Sequence, residues 1–175
     1  LTWLRRAADR YGLSVVTEVM SEREVDAVSE MADMLQVGSR NMQNFSLLRA
    51  VGQSKKPVLL KRGRAATIAE WLLAGEHLYA AGAEHVLFCE RGVRGFEPKS
   101  RNLLDLNAVA LLRHEYGIPV VVDPSHACGR RDLVLPLSRA ALAASAAGAP
   151  DARVVHGRGD ARAALHRVLG PCDLE

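Results

Sequence analysis

No stretch of this 175-residue chain approaches the ~18 to 20 uninterrupted apolar residues that a membrane span needs. The first residues also lack the basic-then-apolar layout of a signal peptide. Both absences predict a soluble, cytoplasmic protein with no membrane partner. Cysteine is scarce: Cys89, Cys128 and Cys172 are odd in number and far apart, which argues against a disulfide framework and suits a reducing compartment. No Cys-x-x-Cys spacing supports a thiolate metal site, so Cys89 and Cys128 are expected to be small buried residues. The excess of one charge sign is only +3, with Lys and Arg interleaved with Asp and Glu. That pattern excludes a nucleic-acid tail and a polybasic membrane patch, and leaves anionic small molecules as fitting ligands. A glycine-rich phosphate loop is missing too, since Gly92-Val93-Arg94-Gly95 matches neither the dinucleotide nor the P-loop pattern.

What is present is ordinary for one soluble domain with a real core: 49% hydrophobic and 25% charged residues. The chain opens at Leu1 inside a helical pattern. Leu1, Leu4, Ala8 and Tyr11 share a face and Gly12 stops the run, as if it were the tail of a longer helix. Short apolar runs then recur: Leu13–Glu18, Leu35–Gly38, Pro57–Leu60, His85–Cys89 and Ile118–Val122, with Arg153–His156 as a sixth. Helical patterns separate them. Ser21-Glu22-Arg23-Glu24 and Thr67-Ile68-Ala69-Glu70 read as capping boxes, the first opening a helix with Val25, Val28 and Ala32 buried. The second opens a helix whose Trp71 and Tyr79 read as core and which ends at Gly82. Further helices are expected near Phe45–Val51, Leu103–Tyr116, Leu133–Ala147 and Asp160–Leu169.

Units of ~25 to 35 residues with helices between short strands are what parallel βαβ construction needs. The predicted class is α/β, a (β/α)8 TIM-barrel type that is incomplete, with about six of eight units forming a single domain over residues 1–175. An open doubly wound sheet is the competing reading, but such sheets gather ligand groups at one switch point. Here the first five strands each end in polar or charged groups: Glu18, Arg40, Lys61 with Arg62, Glu90 with Arg91, and Asp123 with His126. Strand ends are exposed and carry charge in any case. Five in register, three beside glycines (Gly38, Gly63, Gly92), fit a site at the carboxyl rim of a barrel better. The centre of this pattern is Val122-Asp123-Pro124-Ser125-His126, where Pro124 must end the strand and a carboxylate and an imidazole follow it.

Five segments together have a specific likeness: Val16–Met20, Gln36–Phe45, Pro57–Gly63, Cys89–Gly92 and Val122–Arg131. Over residues 1 to 149 the chain closely resembles the short-chain (type I-beta) class of DAHP synthase, or 3-deoxy-7-phosphoheptulonate synthase. The resemblance implies a TIM-barrel transferase that condenses phosphoenolpyruvate with erythrose 4-phosphate at the entry to the shikimate pathway of aromatic amino-acid biosynthesis. It also implies a divalent metal of the Mn, Fe, Co or Zn class, and a homo-oligomer. Carried over by position, Arg40, Lys61 and Arg91 are phosphoenolpyruvate-binding cations, with Glu90 alongside, and Lys61 doubles as a proton donor near the reacting carbon. His126 is a metal ligand with Asp123 as its orienting carboxylate, and Glu18 is an acid close to the substrate or its water. Arg130 and Arg131 read equally as sugar-phosphate contacts or as a solvated loop. The family's first two strands, with a metal-binding Cys and a Lys-Pro-Arg motif, would precede Leu1. After Ala149 an acid ahead of a His and then an Asp are expected; His156 stands there without the acid, and Asp160 and Asp173 are loose candidates for the Asp.

Three other functions fit the same residues. One is a Schiff-base aldolase with Lys61 as nucleophile, which borohydride trapping would reveal. Another is a 3-deoxy-manno-octulosonate 8-phosphate synthase-like enzyme. The third is a truncated, catalytically silent relative, whose open barrel would expose two sheet edges.

Overall fold

A computed structural model describes residues 1–146 of the chain. Five strands, β1 (Val16–Val19), β2 (Met34–Val37), β3 (Val58–Lys61), β4 (Val86–Glu90) and β5 (Val120–Val122), form one sheet in chain order. Every neighbouring pair is parallel. Seven helices accompany them: α1 (Thr2–Tyr11), α2 (Val25–Met31), α3 (Phe45–Gln53), α4 (Ile68–Ala80), α5 (Leu106–His114), α6 (Pro124–Cys128) and α7 (Arg131–Ala146). Strand order 1-2-3-4-5 with a helical crossover at each step is the wall of a (β/α)8 barrel, not the reversing order of a doubly wound sheet.

Alternation along the strands sorts the two faces. Val58, Leu60 and Phe88 are buried toward the helices, where the Trp71 ring meets Phe88 edge-on at 5.2 Å and its Nε1 donates to the Leu60 carbonyl. Full burial of each such ring contributes about 2 kcal/mol. Gln36, Leu59 and Leu87 lie level on the other face and are half-buried, as residues of a barrel interior would be. The register also sets Lys61 level with Cys89 and Val121. Two further backbone bonds carry the ladder past the strand ends, Arg62 N–H to the Cys89 carbonyl at 3.0 Å and Asp123 N–H to the Glu90 carbonyl at 2.8 Å. The rim residues are thus held by sheet geometry before any side chain acts.

Several sequence expectations hold and some shift. α4 opens with both halves of the Thr67–Glu70 capping box, and Trp71, Tyr79, Cys89 and Cys128 are buried. Val25, Val28 and Ala32 are buried as expected. The capping box expected at Ser21 does not form. Ser21 is extended and makes no side-chain cap bond, and Glu22–Glu24 is a 3-10 turn ahead of α2. On α1 only Ala8 of the proposed stripe is buried, with Leu1 50%, Leu4 47% and Tyr11 71% exposed. β1 starts at Val16, not Leu13, and α5 starts at Leu106, because Leu103 instead pairs with Val93 in an antiparallel bridge and Asp105 caps the helix. The stretch after Pro124 is helix α6, with Pro124 at its first turn and Asp123 as its cap. Arg153–His156 and Asp160–Leu169 lie outside the described residues.

Candidate functional site

Lys61, Asp123 and His126 meet at the carboxyl rim. One oxygen, Asp123 Oδ2, accepts from Lys61 Nζ at 2.6 Å and lies 2.6 Å from His126 Nδ1. The other, Oδ1, accepts from the His126 N–H at 3.1 Å and from Ser125 Oγ at 2.8 Å. Burial would raise this carboxyl, but the bonds from Lys61, the His126 backbone, Ser125 and the His126 ring together hold it well below the usual carboxylate range. The group is therefore a fixed anion. It presents Lys61 as a donor and fixes the His126 ring through Nδ1, leaving Nε2 as the nitrogen available to a ligand.

Arg91, the residue after β4, is only 6% exposed and its Nη1 has no hydrogen-bond partner. Its guanidinium is pushed down from the ordinary value by burial first and by Arg101 next, with Arg64 adding to the effect and Asp123 opposing it. A buried cation crowded by two others calls for an anion. Arg40 is exposed on the 3-10 turn Ser39–Asn41 just past β2, with no ion pair among the described residues. Glu18 reaches Gln36 Nε2 at 3.4 Å and lies directly over Gly38, where any Cβ would strike its carboxylate.

Glu90 and Arg130 are turned elsewhere. Glu90 is fully buried; its Oε2 accepts from Arg62 Nη1 at 3.0 Å, and its Oε1 accepts from the Gly92 and Asp105 amides. Burial pushes its carboxyl up, against the pull of Arg62. The same Arg62 nitrogen donates to Asp105 Oδ2 at 2.9 Å, and its guanidinium stacks 5.7 Å from the Trp71 ring centre. Arg130 is exposed and paired with its neighbour Asp132 at 2.6 Å. Sequence reasoning did not single out Asn102, Asp105 or Ser125, although each tethers a rim residue. Asp105 precedes an apolar helical run and so had a capping signature; Asn102 and Ser125 had none.

The described residues contain no group of three or more His, Cys, Asp or Glu side chains able to hold a metal. His126, with its ring oriented by a carboxylate, fits the role of a single ligand. His156, Asp160 and Asp173 lie outside the described residues.

Comparison with known proteins gives one consistent answer. The family profile described as "DAHP synthetase I family" matches residues 1–150. The chain is similar to the phospho-2-dehydro-3-deoxyheptonate aldolase of Thermotoga maritima, 53% identical over 85% of this chain and 44% of that one. It is more distantly similar to the 2-dehydro-3-deoxyphosphooctonate aldolase of Acidithiobacillus ferrooxidans, 31% identical over 83% of this chain and 54% of the other. Its fold matches the crystal structure of the Thermotoga maritima enzyme (DAHP synthase) with a TM-score of 0.79 at 52% identity, covering 82% of this chain and 42% of that one. A truncated form of 3-deoxy-D-arabino-heptulosonate 7-phosphate synthase from Thermotoga maritima matches with the same TM-score of 0.79 and is covered to 54%. The chain thus spans about half the length of the relatives it matches.

Proposed function

The chain belongs to the DAHP synthetase I family, and on that premise we propose that it carries the phosphoenolpyruvate half of a 3-deoxy-7-phosphoheptulonate synthase site. The reaction is the aldol-type condensation of phosphoenolpyruvate with erythrose 4-phosphate. The observation that carries this reading is the pairing of two features at one rim: the Lys61–Asp123–His126 array and the buried Arg91 guanidinium with its unpartnered Nη1. Phosphoenolpyruvate is an anion at two ends, a phosphate and a carboxylate. Arg91 supplies a dehydrated cation for one end, where a charge-assisted bond is strongest, and Arg40 and Lys61 supply the other charges. Asp123 holds the Lys61 ammonium in place, so that it donates to the substrate or passes a proton near the reacting carbon. An ammonium in such an ion pair has the geometry of a donor, not of a free amine nucleophile, which favours this reading over a Schiff base. Glu18, the half-buried acid at the end of β1, serves the substrate's water. Glu90 acts from beneath by fixing the Arg62 and Gly92 positions on either side of the site.

A divalent metal is part of the proposal, with His126 as one ligand. Bound there, it would polarise the aldehyde of the second substrate toward attack. The chain's own residues do the rest: they bind the anion, orient the imidazole and hold a proton at Lys61 Nζ.

Coupled turnover of phosphoenolpyruvate with erythrose 4-phosphate by the 175-residue protein, with manganese and with a chelator, tests the reading. Metal-dependent turnover that falls about 100-fold or more in Lys61→Ala supports it. A folded protein with neither turnover nor measurable phosphoenolpyruvate binding overturns it.

A further inference from the structure

His126 lies on a helix too short to be stable alone. α6 has five residues, Pro124–Cys128, and so leaves its last carbonyls without intrahelical partners. Three successive carbonyls at that end are met by one dipeptide from the β4–α5 connection. Asn102 Nδ2 donates to the His126 carbonyl at 2.9 Å. The Asn102 N–H donates to the Ala127 carbonyl at 2.8 Å, and the Arg101 N–H to that of Cys128 at 3.1 Å. Asn102 is 5% exposed, so water does not readily replace its carboxamide. The connection is itself closed by the reciprocal Val93–Leu103 backbone bonds, both 2.9 Å. It lies tight against α6 because Gly92, at φ +91, has no Cβ; one placed there would stand 2.7 Å from Ala127 Cα and 2.8 Å from Asn102 Cβ.

We propose that Asn102 is a positioning residue: its carboxamide clamps the His126 carbonyl, and through it holds the His126 ring on Asp123 and Asp123 on Lys61. His126 is tied at its N–H by Asp123 Oδ1 and at its carbonyl by Asn102. Removing the second tie leaves the His126 carbonyl without its side-chain partner, while the two carbonyls that follow keep theirs. The two main-chain bonds from Arg101 and Asn102 survive any side-chain change, so the loss is confined to His126. The connection that carries Arg91 at its start thereby also sets the imidazole, which couples anion binding to the geometry of the array. This catalytic consequence rests on the synthase reading; the clamp does not.

Two arms test it. In the unaltered, metal-free protein, the Asn102 side-chain amide protons are expected to exchange with solvent at least about tenfold more slowly than those of exposed Asn107. Nitrogen spectra of the histidine side chains at fixed pH are expected to show His126 protonated on Nδ1. Asn102→Leu, similar in size but without a donor, is expected to move His126 toward the Nε2-protonated form typical of a free imidazole, with cooperative unfolding retained. Asn102→Ser, which keeps a donor, restores the Nδ1 form in part. In turnover, Asn102→Leu lowers kcat about 10- to 100-fold with the KM for phosphoenolpyruvate within about twofold. Rapid exchange of the Asn102 amide in the unaltered protein, or an unchanged His126 spectrum in Asn102→Leu, overturns the proposal. If neither variant folds, the exchange arm decides alone. Absence of turnover by the unaltered protein counts against the synthase reading and leaves the spectroscopic test of Asn102 decisive for the clamp.

Discussion

Asp123 holds four donors on two oxygens, and this makes its charge a part of the fold as well as of the site. Its folded carboxyl lies below the unfolded value, so its contribution is present above the usual carboxylate range near ~3.9 and is lost as pH falls further. Asp123→Asn is therefore expected to cost about 2 kcal/mol at pH 7 in urea unfolding, the scale of a charged hydrogen bond. The gap to the unaltered protein should narrow between pH 4 and pH 2.5, and a constant gap would show that the charge is not what stabilises. A second residue-scale test uses Gly38. A methyl there strikes the Glu18 carboxylate, the far end of a flexible side chain, so the side chain can move while the backbone stays. Gly38→Ala should leave Tm within a few degrees yet reproduce the turnover deficit of Glu18→Gln. A large drop in Tm, or full turnover in one variant and not the other, would separate Glu18 from the reaction.

At the level of elements, the rim is braced by Arg62, which joins the end of β3 to Glu90 on β4 and to Asp105 at the start of α5. Glu90 is wholly buried and Arg62 nearly so. Truncating Arg62 leaves a buried carboxylate alone, and Arg62→Met is expected to cost ~3 to 5 kcal/mol at neutral pH by chemical denaturation. Burial already raises the Glu90 carboxyl, and without Arg62 it should rise further. A raised carboxyl favours the fold at low pH and loses that advantage as pH rises through its folded value. The Arg62→Met deficit should accordingly shrink from pH 7.5 toward pH 5. At α4 the complete capping box predicts a loss of about 1 kcal/mol in Thr67→Ala, measured the same way. No such loss is expected in Ser21→Ala, whose side chain makes no cap bond.

Across the whole molecule, the described strands end in two sheet edges, β1 and β5, where a closed barrel has none. From α1 to the start of β1, Leu4, Tyr11, Leu13 and Val16 are all exposed by 46% or more. Apolar surface of this kind is expected to bind a hydrophobic dye or to draw chains together, which sedimentation with and without dye would detect. A monomer that takes up no dye would mean that this surface is covered in solution. No helix among the described residues is long and apolar enough to cross a membrane.

Much of this was legible in the order of residues alone. Short β-branched runs such as Val120-Val121-Val122, stopped by Pro124, are too short for helices and read as strands. Their regular alternation with helices permits few arrangements other than a parallel one. The carboxyl-end clustering of Lys61, Arg91, Asp123 and His126 follows from that periodicity, because every parallel strand delivers its last residue to the same rim. What periodicity does not carry is the partner of each charge. Glu90 reads like its neighbour Arg91 in sequence, yet it is spent on Arg62, 28 residues away. Ser21-Glu22-Arg23-Glu24 reads like Thr67–Glu70, yet only the latter closes, because the chain after Ser21 enters a 3-10 turn over Glu22–Glu24 and α2 starts beyond it. Asn102 has no local signal, since its role exists only where the β4–α5 connection crosses α6. Local pattern determines which residues become strands and which end of them bears the chemistry, because backbone geometry repeats along the chain. Tertiary contact decides which charges remain free to meet a ligand, because pairing is settled by distance in space between residues far apart in sequence.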